Sequence, residues 1–373
     1  MNNFEKIVDV IIIGAGIIGT SIGYGLSRKK ASVILIDEGS TVHRASTGNF
    51  GLVWVQGKGL GNAPYARWTH EAARKYPGFL SELYTETRID VHYQNTGGIV
   101  LTFGENEFKK RSEVIDRLRS EAKDNKYDCE MIDHQSVQQR SGKLPLGETV
   151  SGGSFSPHDG HLNPLLLLKA LFKGFKQNGG QYIPNHPAIS INKEGDVFIV
   201  QTPKQSYRSK KVVISTGNST PHLAAMVGLH TPIHPQKGQI LVTERKAPLL
   251  KLPVSGIRQT NEGSFLLGHS NEEAGFDVET TLDIIKKISQ RFVRVFPTLS
   301  DIRVVRCWAA LRTLTPDSLP IYHASSSHPG AYVVSSHSSV TLASLHATSL
   351  VDWIWDDIRP GEFETFSLRR FCV

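Results

Sequence analysis

The hydrophobic pattern at the start of the chain predicts a strand, a helix and a second strand in close succession. Val8–Ile13 is a continuous apolar run rich in β-branched residues, which is typical of a buried parallel strand. Gly16–Lys29 has apolar residues at helical spacing, and Ser32–Ile36 is again a short buried run. The first 37 residues therefore predict a βαβ unit.

Further along, helical and strand patterns alternate in a way that predicts two discontinuous domains, because βαβ patterning returns near the end of the chain. We predict further helices at Pro64–Arg88, Glu105–Lys123, from Asn163-Pro164 to the Gly179-Gly180 pair, Thr281–Phe296 and about Val340 to Trp355. Predicted strands are Gly97–Phe103, Ala188–Asn192, Val197–Thr202, Lys211–Ser215, Ile240–Thr243, Ser264–Leu267 and Ala331–Ser335. We assign 1–87, 140–232 and 320–373 to a nucleotide-binding domain, and 88–139 and 233–319 to a second domain on an antiparallel sheet.

Composition excludes several classes of protein. The 373 residues include 42 Lys plus Arg and 35 Asp plus Glu, so the net charge is 42 − 35 = +7. The basic residues are scattered and accompany no nucleic-acid signature, so we expect no nucleic-acid partner. Three isolated cysteines, Cys129, Cys307 and Cys372, form neither a disulfide framework nor a metal site. No apolar run is long enough to span a bilayer and no secretory signal is clear, so we expect a cytoplasmic protein. Because the cysteines form no metal site, we also expect no bound metal.

A dinucleotide-binding fingerprint follows the first predicted strand. Gly14, Gly16 and Gly19 form G-x-G-x-x-G, in which the glycines allow a tight turn, close approach of a pyrophosphate and close packing of helix on sheet. The helix N-terminus offers unpaired N–H groups to the phosphates. Asp37 ends the second strand, where an acid binds the hydroxyls of an adenosine ribose and disfavours a 2′-phosphate.

Five segments resemble the FAD-dependent glycine oxidase and D-amino acid oxidase family, in the family's order. The segment from Arg44 to Val55, RASTGNFGLVWV, is similar to the family's second flavin-contacting loop. The others are Asp159–His161 with Asn163-Pro164, Lys211–Gly217, Pro235–Gln239 and Trp308–Pro320. Within the family, the segments GNFGLVWVQGKG and HSSVTLA are more similar in sequence to D-hydroxyproline dehydrogenase and opine oxidase catalytic subunits.

The resemblance implies an α/β fold with a Rossmann-like FAD-binding domain of the GR2 type. Ala310 stands where members with covalently attached flavin carry a cysteine, so we expect noncovalent FAD. The residues expected to bind it are Gly14, Ala15, Gly16, Ile17, Ile18, Gly19, Asp37, Glu38, Arg44, Ala45, Ser46, Asn49, Phe50, Gly51, Leu52, Ala188, Thr216, Gly217, Ser338, Ser339, Val340, Thr341 and Leu342.

The resemblance also implies oxidation of a C–N bond, with hydride transfer from Cα to flavin N5. Arg312 is the expected substrate residue, because a guanidinium binds a carboxylate through two parallel bonds. The alternative is an ion pair of Arg312 with a local acid such as Asp317. His337 either faces the flavin or substrate, or is a turn histidine bonded to backbone. Arg258, Lys58 and His234 are weaker candidates for binding a second carboxylate or the amine, and Arg258 completes the predicted catalytic set.

Three functions remain open from the sequence. The first is oxidative deamination or dehydrogenation of an amino acid or secondary amine carboxylate, such as a D-amino acid, a D-proline derivative or a glycine-like compound. In the second, an opine oxidase or dehydrogenase subunit passes the electrons to a partner subunit. The third is a flavin-binding scaffold subunit without turnover.

Overall fold

The computed structural model describes residues 6–39, 44–122 and 127–371. In these residues the helices are α1 (Ile17–Arg28), α2 (Ala63–Thr87), α3 (Gly104–Ala122), α4 (His134–Ser141), α5 (Pro164–Gln177), α6 (Thr220–Ala225), α7 (Leu282–Val295), α8 (Ala343–His346) and α9 (Ser349–Asp356). The strands are β1 (Ile7–Ile13), β2 (Val33–Ile36), β3 (Leu52–Val53), β4 (Gly98–Phe103), β5 (Glu130–Asp133), β6 (Val150–Ser156), β7 (Gly160–His161), β8 (Gln181–Ile183), β9 (Ser190–Glu194), β10 (Val197–Gln201), β11 (Ser206–Ile214), β12 (His234–Arg245), β13 (Ile257–Gln259), β14 (Ser264–Gly268), β15 (Val304–Leu314), β16 (Ile321–Ala324) and β17 (Ala331–Ser335).

The first sheet has a parallel core in the order β16-β17-β11-β1-β2-β8, in which only β16 runs antiparallel to its neighbour; β10 and β9 extend it from β11. The apolar run in β1 is buried on both sides, as the sequence predicts. Val10 and Ile12 belong to the cluster that packs α1, whereas Ile11 and Ile13 belong to the cluster on the opposite face. The α/β fold class is confirmed, with the glycine-rich turn at the carboxyl end of the central strand.

The predicted helix from about Val340 to Trp355 is wrong in one respect, because it is two helices, α8 and α9. Thr348, between them, has φ −125° and ψ −84°, which is not helical. At the same place the chain crosses α1 closely: a Cβ on Gly25 would lie 2.2 Å from the carbonyl oxygen of Ala347. Tertiary packing therefore breaks a segment whose apolar spacing favours one helix.

The second sheet is antiparallel and has two different faces. It orders its strands β13-β14-β12-β15, with β4-β6-β5 as a further antiparallel group. One face is a core in which Leu241, Phe265 and Leu267 pack against α7. The other, the inner face, carries the side chains that strand alternation and register place together: Ile240, Gly268, Trp308, Ala310 and Arg312.

The division into 1–87, 140–232 and 320–373 against 88–139 and 233–319 stays a prediction. Strand β6 lies within the predicted nucleotide-binding part but pairs with β4 and β5. This pairing favours a boundary after Ser156 rather than at residue 140. The segment that contains Arg312 was not among the predicted strands, whereas it belongs to β15, which pairs with β12 from His234 to Thr243.

Candidate functional site

Each glycine of the fingerprint is required by a different close approach. Gly14 has φ +99°, and a Cβ on it would lie 2.6 Å from the carbonyl oxygen of Ser215. A Cβ on Gly16 would lie 2.8 Å from Ser46 Oγ, and one on Gly19 would lie 2.0 Å from the carbonyl oxygen of Gly14. Gly14 and Gly16 keep the turn tight and its outer surface open, and Gly19 lets α1 pack on the strand.

The N-terminus of α1 is open for an anion. Its N-cap is Gly16, which has no side chain to satisfy the first N–H groups. Ile17 N instead donates to Ser46 Oγ at 3.0 Å, which brings a hydroxyl of the 44–50 loop to the helix end. Free N–H groups, the positive end of the helix dipole and a hydroxyl donor fit the pyrophosphate of a dinucleotide.

Asp37 lies beside the glycine-rich turn at the carboxyl end of β2. Its two carboxylate oxygens accept from Ala15 N and from Gly39 N, each at 2.8 Å. The acid therefore fixes the turn and is half-buried next to it. Glu38 and Arg44 form an exposed ion pair nearby.

The remaining predicted nucleotide contacts fall into two groups. Thr216 and Gly217 follow β11, where a Cβ on Gly217 would lie 3.3 Å from Thr313 Oγ1 of β15. They therefore lie where the two sheets meet. Ala188 instead packs against the apolar cluster on the sheet face opposite α1, and Ile18 packs on the α1 side.

The 44–50 loop lies between the nucleotide-binding turn and the inner face. Trp308 Nε1 donates to the carbonyl oxygen of Gly48 at 3.1 Å, and a Cβ on Gly48 would lie 2.6 Å from that of Ala310. The ring of Phe50 covers Gly268, whose Cβ would meet it at 3.1 Å. Asn49 Oδ1 accepts from Gly51 N at 2.8 Å, which shapes the turn into β3.

The side chain of Arg258 holds the 44–50 loop through two contacts with Phe50. It is 4% exposed, its Nε donates to the carbonyl oxygen of Phe50 at 2.5 Å, and its guanidinium lies 5.6 Å from the centre of the Phe50 ring. Burial lowers the pKa of Arg258 to about 10. These contacts favour a positioning role, so the catalytic assignment of Arg258 from sequence is not supported by any contact of its side chain with the cleft described below.

The late segment after β17 lies against the loop that follows β3. Ser338 Oγ accepts from Lys58 Nζ, and Tyr65 Oη donates to it at 3.0 Å. Trp54 N donates to Thr341 Oγ1 at 3.1 Å, and Tyr76 Oη donates to the carbonyl oxygen of Val340. Ser339 and Leu342 are buried in the same segment. Two regions far apart in sequence thus pack against each other beside His337. We call the region around His337 that Lys58, Arg312 and His269 border the cleft, because the charges of these three residues act on His337.

Arg312 lies near His337 and uses only Nη1 of its guanidinium for hydrogen bonds to the described residues. Its Nη1 donates to the carbonyl oxygen of Ser270 at 2.8 Å, to Asn271 Oδ1 at 2.9 Å and to Gln236 Oε1 at 3.3 Å. Within the described residues Arg312 has no ion pair and its Nη2 and Nε have no hydrogen-bond acceptor. The alternative of a pair with Asp317 is wrong, because Asp317 accepts from Arg370 Nε at 2.7 Å.

Gly238, opposite Ala310 on β12, makes room for the Arg312 side chain. A Cβ at this position would lie 2.5 Å from Arg312 Nη2. The motif Pro235–Gln239 therefore has a direct structural reason for its glycine. Arg312 itself is half-buried, which suits a group that must exchange water for a carboxylate.

Two histidines in the cleft are held neutral. Burial among protein atoms, then the charges of Lys58, Arg312 and His269, lower the pKa of His337 to about 3. Burial, then Arg312 and Arg291, lower the pKa of His269 to about 4. Both side chains nevertheless remain open to solvent. Many surrounding atoms together with an open side chain are typical of the floor of a cleft.

The sequence analysis did not predict His269 or the contact of Trp308 with Gly48. The Trp308 to Gly48 contact had a weak signal, since both residues lie in segments that resemble the same family. His269 follows β14 without any motif around it. Among the described residues no three or more His, Cys, Asp or Glu side chains group as a metal site, and no helix there is long and apolar enough to cross a membrane.

The fold and the glycine-rich turn define a dinucleotide-binding oxidoreductase. The family model for "FAD dependent oxidoreductase" matches residues 9–353. An opine oxidase subunit of Agrobacterium tumefaciens is 37% identical over 364 residues, covering 98% of each chain, and the corresponding subunit of Rhizobium meliloti is 34% identical over 365 residues with the same coverage. The chain belongs to the DAO family of FAD-dependent oxidoreductases.

Solved structures give the same fold. The crystal structure of glycine oxidase from Geobacillus kaustophilus superimposes with a TM-score of 0.88 at 22% identity, covering 97% of this chain and 98% of that one. FAD is therefore the cofactor of this family fold, and the residues around Gly14, Ser46 and Asp37 fit its pyrophosphate and ribose. The family's oxidases act on amino acids and amines at CH–NH groups.

Proposed function

We propose that this chain oxidises an amine that carries an α-carboxylate, using Arg312 to hold that carboxylate. The observation that supports the proposal most strongly is that only one nitrogen of the Arg312 guanidinium, on the inner face, is occupied by hydrogen bonds to the described residues. Its Nη1 is held by three acceptors, while Nη2 and Nε have no hydrogen-bond acceptor among the described residues. Such a fork is preorganised for two parallel bonds to a carboxylate, which fix direction as well as distance.

The bound FAD supplies the acceptor for two electrons. The substrate loses its Cα–H bond as a hydride and its N–H proton to water, which leaves an imine; water then hydrolyses this imine to a carbonyl compound and an amine. The chain's own task is orientation, because holding the α-carbon in a reactive geometry contributes about 7–11 kcal/mol in favourable cases.

The charges of the cleft favour the neutral amine as the reacting form. Burial, then the charges of Lys58 and Arg312, lower the pKa of His337, and the same two charges would repel a positively charged substrate nitrogen held beside it. A free amine has a lone pair that stabilises the developing positive charge at Cα when hydride leaves. His337 and His269, held neutral, accept or donate hydrogen bonds without adding charge.

An anaerobic substrate screen tests this function. Primary D- and L-amino acids, N-substituted glycines, D-proline derivatives and opines are mixed with the holoenzyme, and loss of the oxidised flavin band is followed. We expect bleaching by at least one compound with an α-carboxylate. If none bleaches a flavin that dithionite still reduces, the chain is a scaffold subunit and the proposal is wrong.

A second candidate is a subunit that passes its electrons to a partner protein rather than to oxygen. Two relatives are named as opine oxidase subunits, which supports this candidate. Reduced holoenzyme is mixed with air-saturated buffer or with an artificial dye, and reoxidation is timed. Slow reaction with oxygen and fast reaction with the dye would favour the partner-dependent enzyme; fast peroxide formation would favour a self-sufficient oxidase.

We further propose that the flavin is not covalently attached. Ala310 lies against Gly48 and offers no sulfur, and Cys307 contacts Thr280 Oγ1 at 3.9 Å on the side of α7. Acid precipitation should therefore leave the flavin in the supernatant. Flavin absorbance that stays with the precipitated protein would contradict noncovalent binding.

A further inference from the structure

A salt bridge on the face of β12 opposite Arg312 ties the segment after β14 to the antiparallel sheet. Lys237 N donates to the carbonyl oxygen of Glu272 at 2.9 Å, and Glu272 N donates to that of Lys237 at 3.0 Å. The Lys237 side chain is 3% exposed, and its Nζ lies 3.6 Å from Glu272 Oε2 and 2.6 Å from Asp277 Oδ2. Backbone and side chains together fix this segment against β12.

The Glu272 carboxylate connects that segment to β12 through several donors. Ser270 Oγ donates to Glu272 Oε1, and Gln239 Nε2 donates to both carboxylate oxygens, at 3.1 Å and 3.2 Å. Gln239 N in turn donates to Ser270 Oγ at 2.9 Å. Because both oxygens of Glu272 bind donors from β12, this carboxylate holds Ser270 against the strand.

The acceptors of Arg312 lie immediately before the two paired residues in the chain. Successive side chains of extended segments point to opposite faces, so Gln236 and Asn271 point to the inner face. Both accept from Arg312 Nη1, as does the carbonyl oxygen of Ser270. The bridge on one face of the sheet therefore places the acceptors of the guanidinium on the other.

The charge of Glu272 acts on Arg312, although within the described ranges the two residues form no ion pair. Burial lowers the pKa of Arg312, and the negative charge of Glu272 acts in the opposite sense. Lys237 and Gln239 hold the carboxylate on the far face, so it favours the charged guanidinium without occupying it. The carboxylate thus leaves the remaining nitrogens of Arg312 available to a ligand.

We propose that Glu272 is a positioning residue for the substrate carboxylate, because it holds Ser270 and Asn271 at Nη1 of Arg312. This inference rests on the proposed function and adds a residue to its substrate site. A guanidinium held in one orientation binds more tightly, since less freedom is lost when the carboxylate arrives. Loss of Glu272 should therefore weaken recognition of the carboxylate and leave recognition of the amine unchanged.

Four variants of the holoenzyme test the inference. Glu272→Ala removes the network, whereas Glu272→Gln keeps an oxygen that accepts from Ser270 and Gln239. Ser270→Ala removes the hydroxyl bonded to Glu272 but keeps the carbonyl oxygen that accepts from Arg312. Glu113→Ala, on the exposed surface of α3, is the matched control for loss of a carboxylate.

The probes are N-methylglycine and D-proline, compared with dimethylamine and pyrrolidine, which lack only the carboxylate. Dissociation constants are measured from the change in the flavin spectrum without oxygen. In Glu272→Ala both carboxylates should bind about tenfold more weakly, the size of a bond to a charged group, and both plain amines should stay within about twofold. Glu272→Gln should recover most of the affinity, Ser270→Ala should lie between, and Glu113→Ala should match the parent. FAD content should be equal in all.

Crystal structures of the parent and Glu272→Ala holoenzymes separate this inference from the proposed function. We expect the carbonyl oxygen of Ser270 to move out of hydrogen-bond distance of Arg312 Nη1 in the variant. A contact that stays near 2.8 Å, or equal weakening of carboxylates and plain amines, would overturn the inference. Parental carboxylate affinity in Ser270→Ala would overturn it even where Glu272→Ala does not fold. If the contact is lost but the parent does not prefer the carboxylates, Glu272 positions Arg312 and the proposed carboxylate site is wrong.

Discussion

Trp308 and Gly48 join the two sheets across the cleft. The indole Nε1 on β15 donates to the carbonyl oxygen of Gly48 at 3.1 Å, and Gly48 N donates to the carbonyl oxygen of Arg44 at 2.7 Å. A side chain of the antiparallel sheet therefore holds the loop whose Ser46 reaches the N-terminus of α1. Substrate-side and nucleotide-side residues are mechanically linked through this one loop.

Replacing the indole should weaken flavin binding. Trp308→Phe keeps an aromatic ring but removes the donor to Gly48, at a cost of about 0.5–1.5 kcal/mol for a neutral hydrogen bond. We expect the dissociation constant of FAD to rise about threefold to tenfold, measured by fluorescence quenching of flavin added to apoprotein. Trp355→Phe, at a half-buried position in α9, is the control. Unchanged FAD affinity in Trp308→Phe would show that the loop needs no such anchor.

Arg312 should act on substrate and not on cofactor. Arg312→Lys keeps the charge but cannot form two parallel bonds, and Arg312→Ala loses both. We expect kcat/KM for a carboxylate substrate to fall about tenfold or more in the Lys variant and further in the Ala variant. A fall in kcat as well as a rise in KM would show that the side chain aligns the reacting bond.

The control for Arg312 is Arg303→Lys, just before β15, whose side chain is 84% exposed. FAD content should equal that of the parent in all three variants. Parental steady-state kinetics in Arg312→Lys would remove the residue from the substrate site, and the search would move to Lys58.

Asp37 should contribute to flavin retention in two ways. It lies where the ribose hydroxyls of the nucleotide would bind, and its oxygens also accept from Ala15 N and Gly39 N. Asp37→Ala removes all of these, so FAD affinity should fall about tenfold to a hundredfold. Flavin release in dialysis and titration of apoprotein measure it. Asp196→Ala, which removes an exposed acid in the turn between β9 and β10, should stay within about twofold. Equal retention in both variants would exclude Asp37 as a nucleotide ligand.

Acid should destabilise the protein through buried histidines. His346 is fully buried, its Nε2 is 3.0 Å from Tyr322 Oη, and burial lowers its pKa to about 3. Since the unfolded chain has a histidine pKa near 6.5, unfolding takes up a proton between about pH 6.5 and 3, and stability falls as the pH falls through that range. His161 acts in the same direction, because burial lowers its pKa to about 3. Asp159 acts in the opposite direction: burial raises its pKa to about 7, so its contribution to stability falls as the pH rises from about 4 to 7.

The melting temperature of the holoenzyme, measured at a series of pH values from 7 to 5, tests the predicted loss of stability in acid. His346→Gln keeps a polar partner for Tyr322 without titrating, so its melting temperature should fall less steeply with acid than that of the parent. The exposed His230→Gln serves for comparison and should follow the parent. Parallel curves for the His346 variant and the parent would contradict the assignment.

The parts of the fold that sequence predicts are those built by neighbours along the chain. Val8–Ile13, the three glycines and Asp37 lie within one βαβ unit, so strand, turn and helix can be recognised from local pattern alone. The Asn163 cap is equally local: its Oδ1 accepts from Leu165 N and Leu166 N, as its position before Pro164 predicts.

The rest depends on contacts between distant segments, which periodicity does not encode. The break at Thr348 follows from the approach of α1, and the full length of β15 follows from its pairing with β12. Arg258 shows the same limit, because nothing near it in sequence indicates that Phe50 lies over its guanidinium. The resemblance ranked Arg312 above Arg258 as a substrate residue, but only the tertiary structure shows that Arg258 holds the carbonyl oxygen of Phe50.

The order in which strands join the first sheet sets how much of the chain must be synthesised before that sheet can close. β1 is made first but pairs with β11, and β11 pairs with β17, which ends at Ser335. A ribosome must therefore release nearly the whole chain before the sheet closes and the His337 turn meets Lys58. Until then the glycine-rich turn and α1 are present without the residues after β17 that lie near them in the folded protein.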